Sequence, residues 1–139
     1  MERCKIIIDT NLWISLLIGK RLSEMRSLCN STSITVYFCE ELVAEFLRIA
    51  NSEKIRKYTT DERTKETVNL IKTSCVNIFI KNTAISPQLR DQKDLYILSL
   101  ADTVQADYIL TGDKDLLDLQ FHNHTKILKY NEFKIFATK

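Results

Sequence analysis

Glycine and proline are scarce in this chain: Gly19, Gly112 and Pro87 are the only examples in 139 residues. Neither a GxGxxG fingerprint nor a Walker-type phosphate loop can be built from two glycines so far apart, which excludes nucleotide binding of that kind. Cysteine occurs four times, at Cys4, Cys29, Cys39 and Cys75, but never as a CxxC pair. The usual zinc spacings and the thioredoxin motif are therefore missing, and we read these thiols as small buried hydrophobes in a reducing cytoplasm. No apolar run approaches the length of a membrane span. Asp9 and Asn11 interrupt the run Ile6, Ile7, Ile8 before it could serve as a signal peptide. Net charge is also small, since 20 Lys and Arg against 18 Asp and Glu leave +2, which by itself points to no partner.

What is present reads as one globular α/β domain covering residues 1–139, with 45% hydrophobic and 27% charged residues. Lys5 to Ile8 is rich in β-branched residues and predicts a first strand. Helical turns follow over Leu12 to Ile18 and Leu22 to Cys29, then a second strand over Ile34 to Phe38. Glu40 to Ala50 has helical spacing, with Leu42, Val43, Phe46, Leu47, Ile49 and Ala50 on a broad apolar face. Glu53 to Tyr58 is basic and amphipathic. Thr59 and Glu62 have capping-box spacing and open a helix to about Thr73. Val76 to Ile80 predicts a third strand, and a loop over Lys81 to Arg90 leads to a helix opened by Asp91. Tyr108 to Thr111 predicts a buried strand. A loop carrying His122 and His124, a last strand near Lys126 to Leu128 and a helix from about Glu132 complete the chain. Such alternation with short connections implies a three-layer α/β/α arrangement, whose central, mostly parallel sheet has four to five strands covered on both faces.

The acids are placed where a folding argument would not choose them. On a wheel of roughly 100° per residue, Asp94 shares a face with Ile97, Leu98 and Ala101, whereas Asp102 shares one with Ser99 and Thr103 and reads as solvated. An unpaired carboxylate on a buried face costs several kcal/mol as an order of magnitude unless it is neutralised or binds a cation. Parallel strands share one carboxyl edge, so Asp9 and Asp113 emerge together there, and neighbouring helices can bring Asp94 and Glu45 to the same place. Converging carboxylates repel until a hard divalent cation quiets them, and Mg²⁺ or Mn²⁺ prefers such oxygen ligands. Each acid also has an ordinary use. Asp9 suits the N-cap of the helix that follows, and Glu45 suits a rim residue paired with a lysine. Asp91 suits an N-cap with Asp94 as its partner, and Asp113 or Asp115 could cap the helix containing Leu116. His122, Asn123 and His124 read as loop, Trp13, Phe38, Phe46 and Phe79 as core, and Lys54, Arg56 and Lys57 as a solvated face.

The segments IIIDTN, EELVAEF, RDQKDLYILSLA and ADYILTGDKDLL, with a last strand and NEF after them, resemble the PIN-domain ribonucleases. They are most similar to the toxin components of prokaryotic toxin–antitoxin pairs, and the likeness covers nearly the whole length. The resemblance implies a PIN-like fold with Asp9, Glu45, Asp94 and Asp113 as an acidic quartet, and Asn11, Thr111 and Thr10 as supporting polar residues. Asp91 and Asp115 are lesser candidates. Where the group has a run of aspartates, Gln92 and Lys93 follow Asp91 here. The implied activity is a Mg²⁺- or Mn²⁺-dependent endoribonuclease of the cytoplasm that cuts single-stranded RNA and leaves a 5′-phosphate and a 3′-hydroxyl. One ion would be held by Asp9, Asp94 and Asp113 and a second by Asp9 and Glu45. An antitoxin protein and a homodimer are the implied partners. Setting the four acids aside as ligands raises the charge of the remaining surface to +6, which favours a polyanion weakly.

Two other classes compete. A phosphoacceptor receiver domain needs an acidic pair after its first strand, but Thr10 and Asn11 follow Asp9; a DxD phosphohydrolase fails at the same Asn11. A non-catalytic PIN-like module that binds RNA or protein differs only in lacking turnover.

Overall fold

The run Ile6, Ile7, Ile8 lies at the centre of the molecule, in strand β1 (Cys4–Ile8), and all three side chains are fully buried. Consecutive buried residues without alternation are what a parallel strand covered on both faces requires. The structure is a computed structural model that describes residues 3–80 and 95–137. Around β1 lie β2 (Ile34–Phe38), β3 (Val76–Asn77), β4 (Tyr108–Leu110), β5 (Phe121–His122) and β6 (Thr125–Leu128), in the sheet order β3-β2-β1-β4-β6-β5. Every neighbouring pair is parallel except β5 with β6. Helices flank this sheet to give the three-layer α/β/α fold.

Among the described residues the sheet has six strands rather than four to five. The addition is β5, a two-residue antiparallel strand reached through a tight turn at Asn123, whose φ is 54°. It occupies the stretch expected to be loop, because two residues are too few to show a period. β3 is cut to Val76–Asn77 instead of running to Ile80, and Phe79 is 82% exposed rather than part of the core. Trp13, Phe38 and Phe46 are buried as expected.

The helices are α1 (Thr10–Ile18), α2 (Leu22–Cys29), α3 (Glu40–Ala50), α4 (Glu53–Arg56), α5 (Asp61–Ser74), α6 (Leu95–Val104), α7 (Lys114–Leu119) and α8 (Tyr130–Ala137). Helix α5 begins one residue later than the Thr59 and Glu62 pair implies. Thr60 is its N-cap, accepting from the Arg63 N–H at 3.2 Å. The shortage of glycine shows at the chain reversals. Lys20, Gln105, Gln120 and Asn123 take the left-handed conformation themselves, with φ between 54° and 62°. Each such residue costs about 1 kcal/mol relative to a relaxed backbone. The sheet and the apolar helix faces supply the burial that offsets it.

All four cysteines are free, with Cys29, Cys39 and Cys75 buried and Cys4 half-buried. Burial pushes the Cys39 thiol up to about 12, so it is an inert hydrophobe. Among the described residues no helix is long and apolar enough to cross a membrane.

Helix α8 is tied to α2 through Glu24. Its carboxylate accepts from Arg21 Nε at 2.9 Å, the Tyr130 hydroxyl at 2.8 Å and Lys134 Nζ at 2.6 Å. The Arg21 bond first, then Lys134 and Tyr130, hold this carboxyl down at about 2, against 4.5 ordinarily. A depressed carboxyl contributes stability above its unfolded value that is lost as pH falls from 4.5 through about 2. Partial exposure screens the clamp, so its net worth is on the order of 1 kcal/mol. Glu24→Gln is expected to lower the melting temperature by a few degrees at neutral pH, to leave it unchanged near pH 2, and to speed amide exchange in α8. Unchanged exchange in α8 would show that Glu24 does not tie it down.

Candidate active site

The pairing of β1 with β4 places Ile8 opposite Leu110, so the next residues, Asp9 and Thr111, leave the carboxyl edge of the sheet side by side. The Thr111 hydroxyl donates to Asp9 Oδ2 at 2.8 Å, joining residues 102 positions apart. Asp9 is also the N-cap of α1, its Oδ1 accepting from the Thr10 N–H at 2.8 Å. Asn11 Oδ1 accepts from the Gly112 N–H at 3.3 Å and lies 3.3 Å from Thr111 Oγ1, so it braces the loop after β4 against α1. The Asp113 N–H donates to Thr111 Oγ1 at 3.0 Å, and Asp113 in turn caps α7 by accepting from the Asp115 N–H at 3.0 Å. Asp9 and Asp113 thus serve as helix caps and stand at one edge of the sheet at the same time.

Glu45 arrives by a different route. Strand β2 ends at this edge and Cys39 turns the chain into α3, whose second turn carries Glu45 on the rim of the buried face made by Leu42, Val43, Phe46 and Ala50. Its partner is an arginine rather than a lysine, with Arg48 Nη2 3.8 Å from Oε1. On its other oxygen, Oε2, Glu45 accepts from the Tyr96 hydroxyl at 2.6 Å. Tyr96 sits in the first described turn of α6 and also meets the Thr10 hydroxyl at 2.8 Å. Beside this group lies a cavity of ≈ 280 Å³ lined by Glu41, Ala44, Glu45, Arg48 and Tyr96. A larger cavity of ≈ 480 Å³, lined by Cys4, Ile34, Tyr108 and Phe133 among others, opens at the amino ends of the strands and touches neither Asp9, Glu45 nor Asp113. Size alone does not mark the site.

Asp9 is 4% exposed. Its carboxyl is raised from 3.8 to about 6, chiefly by burial, and the charges of Asp113 and Glu45 push in the same direction. The Thr111 hydroxyl and the Thr10 N–H oppose the rise by stabilising the anion. Asp9 therefore feels two other acids at this edge, although among the described residues no three His, Cys, Asp or Glu side chains form a closed metal cluster. Asp91 and Asp94 lie outside the described residues. The donor set consists of carboxylate and hydroxyl oxygens around a buried, destabilised anion, which fits a hard divalent cation better than zinc. Tyr96 protects this arrangement by staying a neutral phenol. Burial first, and then its bond to Glu45, push its pKa far above the usual phenol range.

The other sequence candidates fall as follows. Thr10 and Thr111 are buried, Asn11 is exposed, and Asp115 stands exposed in the first turn of α7. Asp102 is not merely solvated, since His122 Nε2 lies 3.0 Å from Oδ2 and Asn123 Nδ2 donates to Oδ1 at 2.8 Å. This contact ties the β5–β6 turn to α6, away from the acids at the carboxyl edge. Tyr96 was invisible to the sequence argument because it lies off the apolar face of Ile97, Leu98 and Ala101. Its proximity to Asp94 in the chain was the only available signal.

Residues 5–115 match the PIN domain family. The chain belongs to this family, the PIN-domain nucleases. It is 30% identical over 135 residues to the uncharacterized protein MJ1680 of Methanocaldococcus jannaschii, an alignment covering 96% of this chain and 84% of that protein. Among solved structures it is similar to a chain of VapBC2 from Rickettsia felis bound to a DNA fragment from their promoter. That likeness has a TM-score of 0.55 at 14% identity and covers 88% of this chain and 96% of the other. The PIN domain of T. brucei RRP44 aligns with a TM-score of 0.49 at 13% identity, over 98% of this chain and 82% of that one.

Proposed function

We propose that residues 1–139 form a single nuclease domain, that it is an endoribonuclease dependent on Mg²⁺ or Mn²⁺, and that it cuts single-stranded RNA as the toxin of a toxin–antitoxin pair. The observation that carries this reading is the buried Asp9 carboxyl, held by Thr111 and exposed to the charges of Asp113 and Glu45. An acid placed at that energetic cost on a sheet edge has a use for a cation. Family membership supports hydrolysis of a phosphodiester, and the resemblance to PIN-domain toxins supports RNA and an antitoxin partner in the cytoplasm.

In this mechanism Asp9, Glu45, Asp94 and Asp113 would hold the cation, Thr111 would orient the Asp9 carboxylate, and Asn11 would support Thr111 and the loop after β4. When bound, divalent cations supply water activation and charge neutralisation at the scissile phosphate. The rest belongs to the protein. Thr111 fixes one oxygen of Asp9 and the Thr10 N–H fixes the other, so the carboxylate needs no reorganisation when substrate arrives. Arg48, whose side chain is 59% exposed beside Glu45, offers positive charge to an adjoining backbone phosphate. A flexible single strand can bend into the open cavity along α3, which a stiff duplex would not enter.

The test is direct. Purified protein with a single-stranded RNA oligonucleotide and Mn²⁺ or Mg²⁺ is expected to yield fragments bearing a 5′-phosphate and a 3′-hydroxyl, and a chelator is expected to stop the reaction. Expression of the chain alone is expected to arrest growth, whereas the Asp9→Asn variant should not. Chelator-resistant cleavage, or intact RNA after prolonged incubation with metal, would overturn the proposal.

A further inference from the structure

The Tyr96 hydroxyl joins three helices at one point. A phenol has a single proton, and here it goes to Glu45 Oε2 on α3 at 2.6 Å, so in the 2.8 Å contact with Thr10 on α1 the threonine hydroxyl is the donor. Thr10 is buried, and its own N–H donates to Asp9 Oδ1 at 2.8 Å. Thr10 therefore links Asp9, through its N–H, to Tyr96, through its hydroxyl, and Tyr96 carries the link on to Glu45, with α6 as its keystone. We propose that Tyr96 is a positioning residue that sets the Glu45 carboxylate relative to Asp9 and thereby the affinity of this edge for a divalent cation. The inference rests on the reading of the edge as a metal site given above.

Glutamate is a flexible ligand, and something must choose its direction. Arg48 cannot, because at 3.8 Å it makes no hydrogen bond, and its side chain is 59% exposed and screened by solvent. The short bond from Tyr96 engages one oxygen and leaves the other, Oε1, with lone pairs to offer. Without the phenol, Glu45 is free to swing toward Arg48. Partners that orient a ligand carboxylate in this way change metal affinity by about 10- to 100-fold when removed.

Calorimetric titration with Mn²⁺ separates the possibilities. Tyr96→Phe is expected to bind Mn²⁺ about 10- to 100-fold more weakly than the unaltered chain, with RNA cleavage returning toward the unaltered rate at saturating Mn²⁺. In a Glu45→Gln background the same substitution is expected to change Mn²⁺ binding little, because its effect passes through that carboxylate. A merely structural role would lower affinity equally in both backgrounds, and that result would overturn the proposal. Should Tyr96→Phe fail to fold, Thr10→Val carries the test by removing the hydroxyl that steadies the phenol; weaker binding supports the proposal and unchanged binding overturns it. If Tyr96→Phe binds Mn²⁺ as the unaltered chain does while Asp9→Asn does not, the role of Tyr96 falls and the metal site stands. An unaltered chain that binds no Mn²⁺ overturns both.

Discussion

Asp9→Asn is expected to make the metal-free protein more stable at neutral pH while abolishing cleavage of RNA. The two effects have opposite signs because one carboxylate is responsible for both. Asp9 titrates near 3.8 unfolded and about 6 folded, so between these values the folded chain binds more protons than the unfolded one. Its contribution is fully present below 3.8 and is lost as pH rises through about 6. At neutral pH the ionised acid therefore weighs against folding by about 3 kcal/mol at most. Asparagine removes the charge and remains a good N-cap for α1. Its amide can donate to Thr111 Oγ1, whose hydroxyl then turns to Asn11 Oδ1. The expected gain is about 1–3 kcal/mol, or several degrees in melting temperature, together with loss of the pH dependence between 4 and 6 that comes from this group. Mn²⁺ should raise the melting temperature of the unaltered chain and leave the variant untouched. Cleavage should fall by on the order of 100-fold or more. A destabilised Asp9→Asn, or one that cuts RNA at the unaltered rate, would contradict the assignment of Asp9.

Thr111→Val should do the reverse to stability and lower activity as well. Thr111 is 1% exposed, donates to Asp9 and accepts from the Asp113 N–H. Valine matches its shape but not its hydroxyl, so one substitution leaves a buried carboxylate oxygen and a backbone N–H without partners. The expected cost is about 1–3 kcal/mol. Because the Thr111 bond holds the Asp9 carboxyl down, its loss lets that carboxyl rise beyond about 6. The acid limb of the pH profile for Mn²⁺ binding should then move to higher pH, and cleavage at neutral pH should fall about 10- to 100-fold. Thr111→Ser, which restores the hydroxyl, should recover most of both. An unmoved acid limb in Thr111→Val would show that Asp9 does not depend on this bond.

Much of the architecture was legible because local patterns and burial agree. The β-branched run Lys5 to Ile8 announced the first strand, though not its central place in the sheet, and the apolar spacing in α3 identified both its buried face and the rim position of Glu45. The errors share a cause. β5 and the end of β3 are too short to carry a period, and Phe79 is exposed although its residue type suggests core. Asp102 was read as solvated because its own helix face is polar. Its partners, His122 and Asn123, come from a turn 20 and 21 positions away. The two readings of Asp9 and Asp113, cap or ligand, were posed as alternatives. The geometry shows that capping does not exhaust them, since each uses one carboxylate oxygen for its cap.

The order of amino acids alone determined which residues could be buried, which elements they form, and that acids end strands on one edge of a parallel sheet. Those are consequences of hydrophobic period and of the shared direction of parallel strands, and both are local or nearly so. Only the tertiary structure decided that Thr111 grips Asp9, that Asn11 braces the loop after β4, and that Tyr96 links Thr10 to Glu45. These contacts depend on the register of β1 against β4 and on how α6 packs against α3. Register and helix docking are settled by the whole core at once, and a hydroxyl carries no sign in the chain of which carboxylate it will meet.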